Sequence, residues 1–258
     1  MTEATAALDA TKTIERADVL YAGDVAKWKK FGNSLLLRAG MRLSKVDPAQ
    51  AQQVVQKAIQ GGVITSNADN ASIKHDPNYV NGPGQMLNST EAANFYLAAP
   101  FADYLIKTND PRLKSIAVRY VGASSGPEQV AARANTDPAV QIGMPFGYDN
   151  NSISAVVKTL GLKSFYEFSQ VDRTRMAKNT APMFLVTASQ TQLLMAEAAQ
   201  RGWTTGAVAD YFNNGVRAHM EQLASYDANA AVPTAAIDTY LKENPLVAAT
   251  ALEQINTQ

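Results

Sequence analysis

The 258-residue sequence contains no cysteine and only two histidines, His75 and His219. Without cysteine there are no disulfide bonds, thiolate nucleophiles or zinc–thiolate sites. Two histidines are too few for a metal site built from several imidazoles of one chain. The sequence also has no run of 18 apolar residues. No segment is therefore long and apolar enough to cross a bilayer as a helix.

Charge is scarce and evenly balanced. Lys and Arg total 23, Asp and Glu total 23, and charged residues make up 18% of the chain, below the roughly 25% that is usual in soluble domains. A chain with no net charge is a poor candidate for binding nucleic acid or an anionic membrane surface. Polarity comes instead from amides, with 17 Asn and 15 Gln.

The first third of the sequence has the pattern of a helical hairpin. Apolar residues recur every three or four positions between residues 26 and 45, which is typical of an amphipathic helix. Asp24 is placed to cap that helix, and Asp47-Pro48 is placed to begin a second one. Gly61-Gly62 is placed to end it. These signals predict a hairpin over residues 17–62.

A second hairpin is predicted over 187–225, and an incomplete one over 234–258. The first two align without a gap at an offset of 158, so that Leu35-Leu36-Leu37 corresponds to Leu193-Leu194-Met195. Units of this size are typical of tetratricopeptide (TPR) repeats. The alternative is that any two helical hairpins share part of this spacing of apolar residues. We therefore expect a mostly all-α, TPR-like superhelix.

Residues 63–186 interrupt the helical pattern. Asparagines and Asp-Pro pairs are spread through this stretch, which indicates a long, loop-rich insertion. We expect short helices over 91–106 and 152–169 and a short strand over Ser115–Val121. An irregular stretch of this length is uncommon in a compact domain unless it binds something.

Three segments of the sequence carry a resemblance to a known family. They are Asp24-Val-Ala-Lys-Trp-Lys-Lys-Phe-Gly-Asn-Ser-Leu-Leu-Leu-Arg-Ala-Gly-Met-Arg-Leu-Ser44, Asn109-Asp-Pro-Arg-Leu113, and Gln192-Leu-Leu-Met-Ala-Glu-Ala-Ala-Gln-Arg-Gly-Trp203 followed by Tyr211-Phe-Asn-Asn-Gly-Val-Arg217. Together they resemble the SusD/RagB-like outer-membrane proteins of Bacteroidetes. The first and third segments are specific when they occur together, and the Asp-Pro-Arg-Leu motif alone is weak.

The resemblance implies a non-catalytic protein at the cell surface that captures a nutrient, usually a glycan. It implies a SusC-like, TonB-dependent outer-membrane transporter as the partner. We expect no cofactor. Family members are longer and carry a signal peptide and a lipidated N-terminal cysteine, whereas Met1–Ala10 lacks the pattern of a signal peptide. We therefore interpret residues 1–258 as an internal portion of a single SusD-like domain, with membrane attachment only through an anchor outside this sequence.

A glycan site needs aromatic rings for the C–H faces of sugars and uncharged polar groups for their hydroxyls. Two clusters in the insertion offer this combination. The first is Tyr79 with Asn81, and the second is Phe146 and Tyr148 with Asp149, Asn150 and Asn151. Gly147 allows the backbone to bend between two rings. The alternative is that the rings pack onto the helices and the asparagines form turns.

Two other interpretations concern a calcium site and a catalytic serine. The oxygens of Asp149-Asn150-Asn151 are potential Ca²⁺ ligands, although the run lacks the spacing of a known calcium loop. Gly122-Ala-Ser124-Ser-Gly126 fits the serine-nucleophile turn of hydrolases, with Asp172 and His219 following in order. The hydrolase interpretation requires a strand before the serine and a helix over residues 128–134. It also requires a parallel sheet of several strands, whereas the sequence predicts about one strand.

Glycan capture is thus the first functional hypothesis. A TPR-like protein-interaction scaffold that binds a polypeptide on its concave face is the second. A serine hydrolase that uses Ser124 is the third.

Overall fold

The computed structural model describes residues 2–9, 11–12 and 17–258. Met1 and Ala10, at the two ends of the segment judged not to be a signal peptide, lie outside the described residues. Helices account for most of the regular structure. Their bounds are α1 Thr2–Ala7, α2 Val25–Arg42, α3 Pro48–Gln60, α4 Gly82–Leu87, α5 Ala99–Lys107, α6 Arg112–Ile116, α7 Ile153–Thr159, α8 Ala188–Gln200, α9 Val208–Gln222, α10 Thr234–Glu243 and α11 Ala251–Thr257.

Five short strands complete the regular structure. Their bounds are β1 Ala71–Ile73, β2 Ala117–Tyr120, β3 Ala134–Asn135, β4 Gln170–Val171 and β5 Met183–Val186. β1 pairs antiparallel with β5, and β2 lies between β3 and β4 with antiparallel pairing on both sides. None of the helices in the described ranges is long and apolar enough to cross a membrane.

The chain divides into two compact units. The first unit consists of the described residues up to Lys74 together with Met183–Gln222 and Glu243–Gln258. The second unit consists of His75–Pro182 and Leu223–Lys242. The first unit therefore holds both complete helical hairpins, and the second holds most of the loop-rich stretch.

The helical hairpins of the first unit form where the sequence predicts them. The side chain of Asp24 caps α2 by accepting a hydrogen bond from the Lys27 nitrogen, and that of Asp47 caps α3 in the same way. α2 packs against α3, and α8 packs against α9. One buried cluster joins α2, α3 and α8; its members are Leu37, Met41, Ala51, Val55, Ala58, Val63, Met195, Ala198 and Trp203. The mostly helical, TPR-like fold is thus confirmed.

The second unit differs from its predicted secondary structure in detail. Helix forms over Ala99–Lys107 and Ile153–Thr159 but not over the full predicted ranges. Ser115 and Ile116 belong to the end of α6, so the strand begins only at Ala117. Turns of 3-10 helix separate short extended pieces elsewhere. Proline and asparagine supply turn geometry here, which leaves little of the periodic signal that marks longer elements.

Candidate functional site

Phe146 and Tyr148 lie on an exposed loop of the second unit. The Phe146 side chain is 73% exposed and that of Tyr148 is 49% exposed. Gly147 between them has φ +85°, a left-handed conformation that side-chain-bearing residues rarely adopt. A Cβ at Gly147 would meet no atom within 4 Å. Lack of space is therefore not the reason for a glycine at this position. The reason is the left-handed turn that presents the two rings.

Asp149 holds the second half of this loop in a tight turn. Its Oδ1 accepts hydrogen bonds from the backbone nitrogen of Asn151 at 3.1 Å, and from the nitrogen and the hydroxyl of Ser152 at 2.8 and 2.6 Å. The Ser152 hydroxyl, the Ser152 N–H and the Asn151 N–H together lower the pKa of Asp149. The carboxylate thus orders its own turn, while Asn150 and Asn151 remain exposed.

Tyr79 lies on a separate turn of the same unit and is 63% exposed. Asp76 closes this turn by accepting hydrogen bonds from the backbone nitrogens of Asn78 and Tyr79 at 2.7 and 2.8 Å. The Tyr79 ring stacks on the His75 ring with centroids 5.2 Å apart and planes inclined by 26°. One face of the tyrosine is therefore supported by the histidine.

Asn81 has a different environment from Tyr79, although the two are adjacent in the first predicted cluster. Asn81 is 7% exposed. Its Oδ1 accepts from the Gly84 nitrogen at 2.9 Å and so caps α4, and its Nδ2 donates to the Ala181 carbonyl at 2.9 Å. Both ends of this amide are engaged within the fold, so Tyr79 is the accessible member of the cluster.

The loop residues considered for calcium do not gather a set of acidic ligands. Within the described part of the chain, no group of three His, Asp or Glu side chains is placed to hold a metal ion. The Oδ1 atom of Asp149 already accepts three hydrogen bonds. The loop is therefore built from rings and amides.

The serine-nucleophile turn is not formed. The strand before Gly122 has antiparallel neighbours, and the residues after Ser124 form short 3-10 turns where a helix was predicted. The carboxylate of Asp172 accepts hydrogen bonds from the backbone nitrogen and hydroxyl of Thr174, and from the Nε atom of Arg175 at 2.6 Å. The strand, turn and helix that expose a catalytic serine are thus absent at Ser124, and the hydrolase interpretation is wrong.

The first unit contains a groove of about 350 Å³ between α8, α9 and α11. Leu193, Leu194, Glu197, His219 and Ile255 are among the residues that line it. Glu197 is engaged by the guanidinium of Arg201, with Nη2 at 2.7 Å from Oε1. None of the predicted binding residues lines this groove.

A family model described as "Starch-binding associating with outer membrane" matches residues 1–258. The chain belongs to the SusD-like family. This assignment confirms the predicted family, the fold class and the association with the outer membrane, and the family is one of binding proteins. A comparison with curated proteins found no match.

Several solved structures are similar to this SusD-like chain. A chitin-binding protein is 32% identical, with a TM-score of 0.83 over 99% of this chain and 53% of its own. A SusD-like protein of Bacteroidetes is 26% identical, with a TM-score of 0.79 over 99% of this chain and 59% of its own. A chitin-binding SusD homologue from Flavobacterium johnsoniae is 23% identical, with a TM-score of 0.68 over 93% of this chain and 43% of its own, and shows the fold alone. The chain thus spans about half the length of these relatives.

Sequence reasoning missed one exposed ring on α5. Phe101, in the first turn of α5, is 44% exposed. The sequence places it in an apolar helical pattern beside Ala102 and Leu105, which are both buried. Its exposure depends on which helix face meets the rest of the unit, and no local signal marks that face.

Proposed function

We propose that this SusD-like chain captures an uncharged glycan at the outer surface of the outer membrane without breaking a bond. The observation that carries the proposal is the exposed pair of rings at Phe146 and Tyr148, presented by a left-handed glycine and followed by two exposed amides. Such rings can stack on the C–H faces of sugars, and amides can donate to and accept from hydroxyls without desolvating a charge.

Chitin fragments are the first ligands to test. The support is the similarity to a chitin-binding protein at 32% identity over nearly the whole chain. The acetamido groups of chitin are themselves amides, and Asn150 and Asn151 are suited to pair with them. Starch fragments are the second ligands, because the family description names starch.

Delivery to a SusC-like, TonB-dependent transporter is the proposed next step. The support is the family assignment together with its association with the outer membrane. A capture protein that releases its ligand chemically unchanged requires a separate protein to move that ligand across the membrane. Co-purification of the tagged chain with such a transporter from outer membranes, and its loss from a transporter deletion strain, tests this step.

Titration calorimetry with chitohexaose and maltohexaose tests the binding proposal. Tyr148→Ala is expected to weaken binding of the preferred oligosaccharide about fivefold to tenfold, which is the loss for one aromatic stacking contact of about 1–1.5 kcal/mol. Tyr148→Phe keeps the ring and is expected to retain most of the affinity. Leu160→Ala removes another exposed apolar side chain of the second unit and serves as the control. Unchanged binding by a Phe146→Ala/Tyr148→Ala double variant would contradict the proposed site.

A further inference from the structure

Exposed aromatic side chains are few in this protein. The sequence has eight Phe, ten Tyr and two Trp. In the ranges that the structure describes, those with large exposure are Tyr79, Phe95, Phe101, Phe146 and Tyr148. All five lie in the second unit. Because exposed rings that lie together leave apolar area in water, the second unit is where an aromatic contact surface is to be sought.

Three of these rings follow one backbone pairing. Ala98, just before α5, forms a parallel bridge with Met144, just before the 146–148 loop. The Met144 nitrogen donates to the Leu97 carbonyl at 2.7 Å, and the Ala99 nitrogen donates to the Met144 carbonyl at 2.8 Å. Because the two segments run in the same direction, Phe101 and Phe146 both come after the pairing, at its carboxyl end.

Chain length limits how far these rings can lie from the bridge. A residue spans at most about 3.6 Å of chain. Phe101 is three residues beyond Ala98, and Phe146 is two residues beyond Met144. The Cα atom of Phe101 therefore lies within about 11 Å of that of Ala98, and the Cα atom of Phe146 lies within about 7 Å of that of Met144. Phe95, in contrast, comes before Ala98 and lies at the amino end of the pairing.

The chemistry around the rings favours a neutral ligand. The Oδ1 atom of Asp149 accepts three hydrogen bonds within its own turn. The exposed polar groups beside Tyr148 are the amides of Asn150 and Asn151. Exposed rings followed by exposed amides offer what a sugar needs, which is an apolar face for its C–H groups and uncharged donors and acceptors for its hydroxyls.

We propose that Phe101 is a third stacking residue of the glycan site, together with Phe146 and Tyr148. This inference rests on the proposed function and makes it more specific. Three rings on two chain segments extend beyond the reach of a single sugar. The ligand class is therefore an uncharged oligosaccharide chain, and the α5 ring contributes more as the chain becomes longer.

Titration calorimetry with chitobiose, chitotetraose, chitohexaose and maltohexaose tests the inference on the 258-residue chain. Phe101→Ala is expected to weaken hexasaccharide binding about fivefold to tenfold and disaccharide binding much less. Phe101→Tyr keeps a ring and is expected to retain the affinity. Phe95→Ala removes an equally exposed phenylalanine from the other end of the pairing, and is the matched control with no expected effect.

The outcomes separate this inference from the function on which it depends. If Tyr148→Ala weakens binding while Phe101→Ala binds every oligosaccharide like the parent chain, the glycan site stands and the role of Phe101 is wrong. If Phe101→Ala and Phe95→Ala weaken binding equally, the pairing does not define the site and the inference is also wrong. If the parent chain binds none of these sugars nor any member of a broader panel of neutral glycans, both proposals fail.

Discussion

Gly143 lies against the first turn of α5, so that a Cβ added to Gly143 would stand 2.8 Å from the backbone nitrogen of Ala99. The same Cβ would stand 2.9 Å from the Ala102 Cβ. Neither neighbour can move without shifting α5 or the extended segment that carries the Ala98–Met144 bridge. The glycine therefore permits the close approach between α5, which carries Phe101, and the segment that leads into the 146–148 loop.

Gly143→Ala is expected to destabilise the protein by about 1–3 kcal/mol, the usual cost of overpacking a tight site. It is also expected to weaken oligosaccharide binding, because Phe101 moves with α5. Urea unfolding and titration calorimetry measure the two effects. Gly82→Ala is the control, since a Cβ at Gly82 meets nothing within 4 Å. Equal stability of the two variants would contradict the prediction that the close contact at Gly143 excludes a side chain.

Much of the first unit could be predicted from the sequence, because its information is local. Asp24 and Asp47 cap helices where the pattern places them. The second unit was predicted less well. Its pairings link residues far apart in the chain, such as Ala98 with Met144, and short pieces of structure leave too few residues for a periodic signal.

The candidate site shows the same difference between local and long-range information. Phe146 and Tyr148 are identifiable because a glycine and amides adjoin them in sequence. Asn81 was selected because it lies beside Tyr79 in sequence, yet its amide donates to the carbonyl of Ala181, a residue distant in the chain. Phe101 was missed because its exposure depends on which face of α5 packs against residues distant in the chain, such as Gly143 against Ala99 and Ala102.

Asn81→Ala tests whether this amide is structural. The change removes the cap of α4 and leaves the Ala181 carbonyl without this donor, so we expect a loss of about 2–4 kcal/mol of unfolding free energy. Asn81→Asp restores an acceptor for the Gly84 nitrogen and is expected to recover part of the loss. Asn78→Ala, on the exposed turn nearby, is the control. Glycan affinity measured on folded Asn81→Ala should equal that of the parent, and a specific loss of affinity would instead place Asn81 in the site.

Asp149→Ala tests whether the turn after Tyr148 organises the loop. The variant loses the acceptor for Asn151 and Ser152, so the rings are held less firmly and oligosaccharide affinity is expected to fall severalfold. Asp149→Asn keeps an oxygen acceptor and is expected to lose less. Asp137→Ala removes a similar turn-forming carboxylate elsewhere in the unit and is the control. Faster proteolysis within residues 146–151 of Asp149→Ala alone would support the explanation, and unaltered cleavage and affinity would refute it.

Glu167 provides a pH-dependent contribution to stability. It is 4% exposed, and its Oε2 accepts from the Arg119 guanidinium at 2.9 Å and from the Gly122 nitrogen at 2.8 Å, while its Oε1 accepts from the Lys163 nitrogen at 2.6 Å. Burial by itself raises the pKa of Glu167, but these hydrogen bonds and the charge of Arg119 outweigh burial and leave the pKa below the ordinary value of 4.5. A carboxylate with a lowered folded-state pKa stabilises the protein above its unfolded-state pKa. That contribution is lost as the pH falls below 4.5 and through the folded-state value.

Glu167→Gln should therefore be less stable than the parent at neutral pH, by about 2–4 kcal/mol, because it leaves the partly buried Arg119 without its counter-ion. Its unfolding free energy should also vary less between neutral pH and acid, since one titrating carboxylate is missing. Urea unfolding at a series of pH values measures both effects. Glu128→Gln is the matched control, because Glu128 pairs with Arg133 at 3.4 Å with both side chains 39% exposed, and such surface pairs contribute about 1 kcal/mol at most. An acid dependence in Glu167→Gln as steep as in the parent chain would mean that other carboxylates account for the loss of stability in acid.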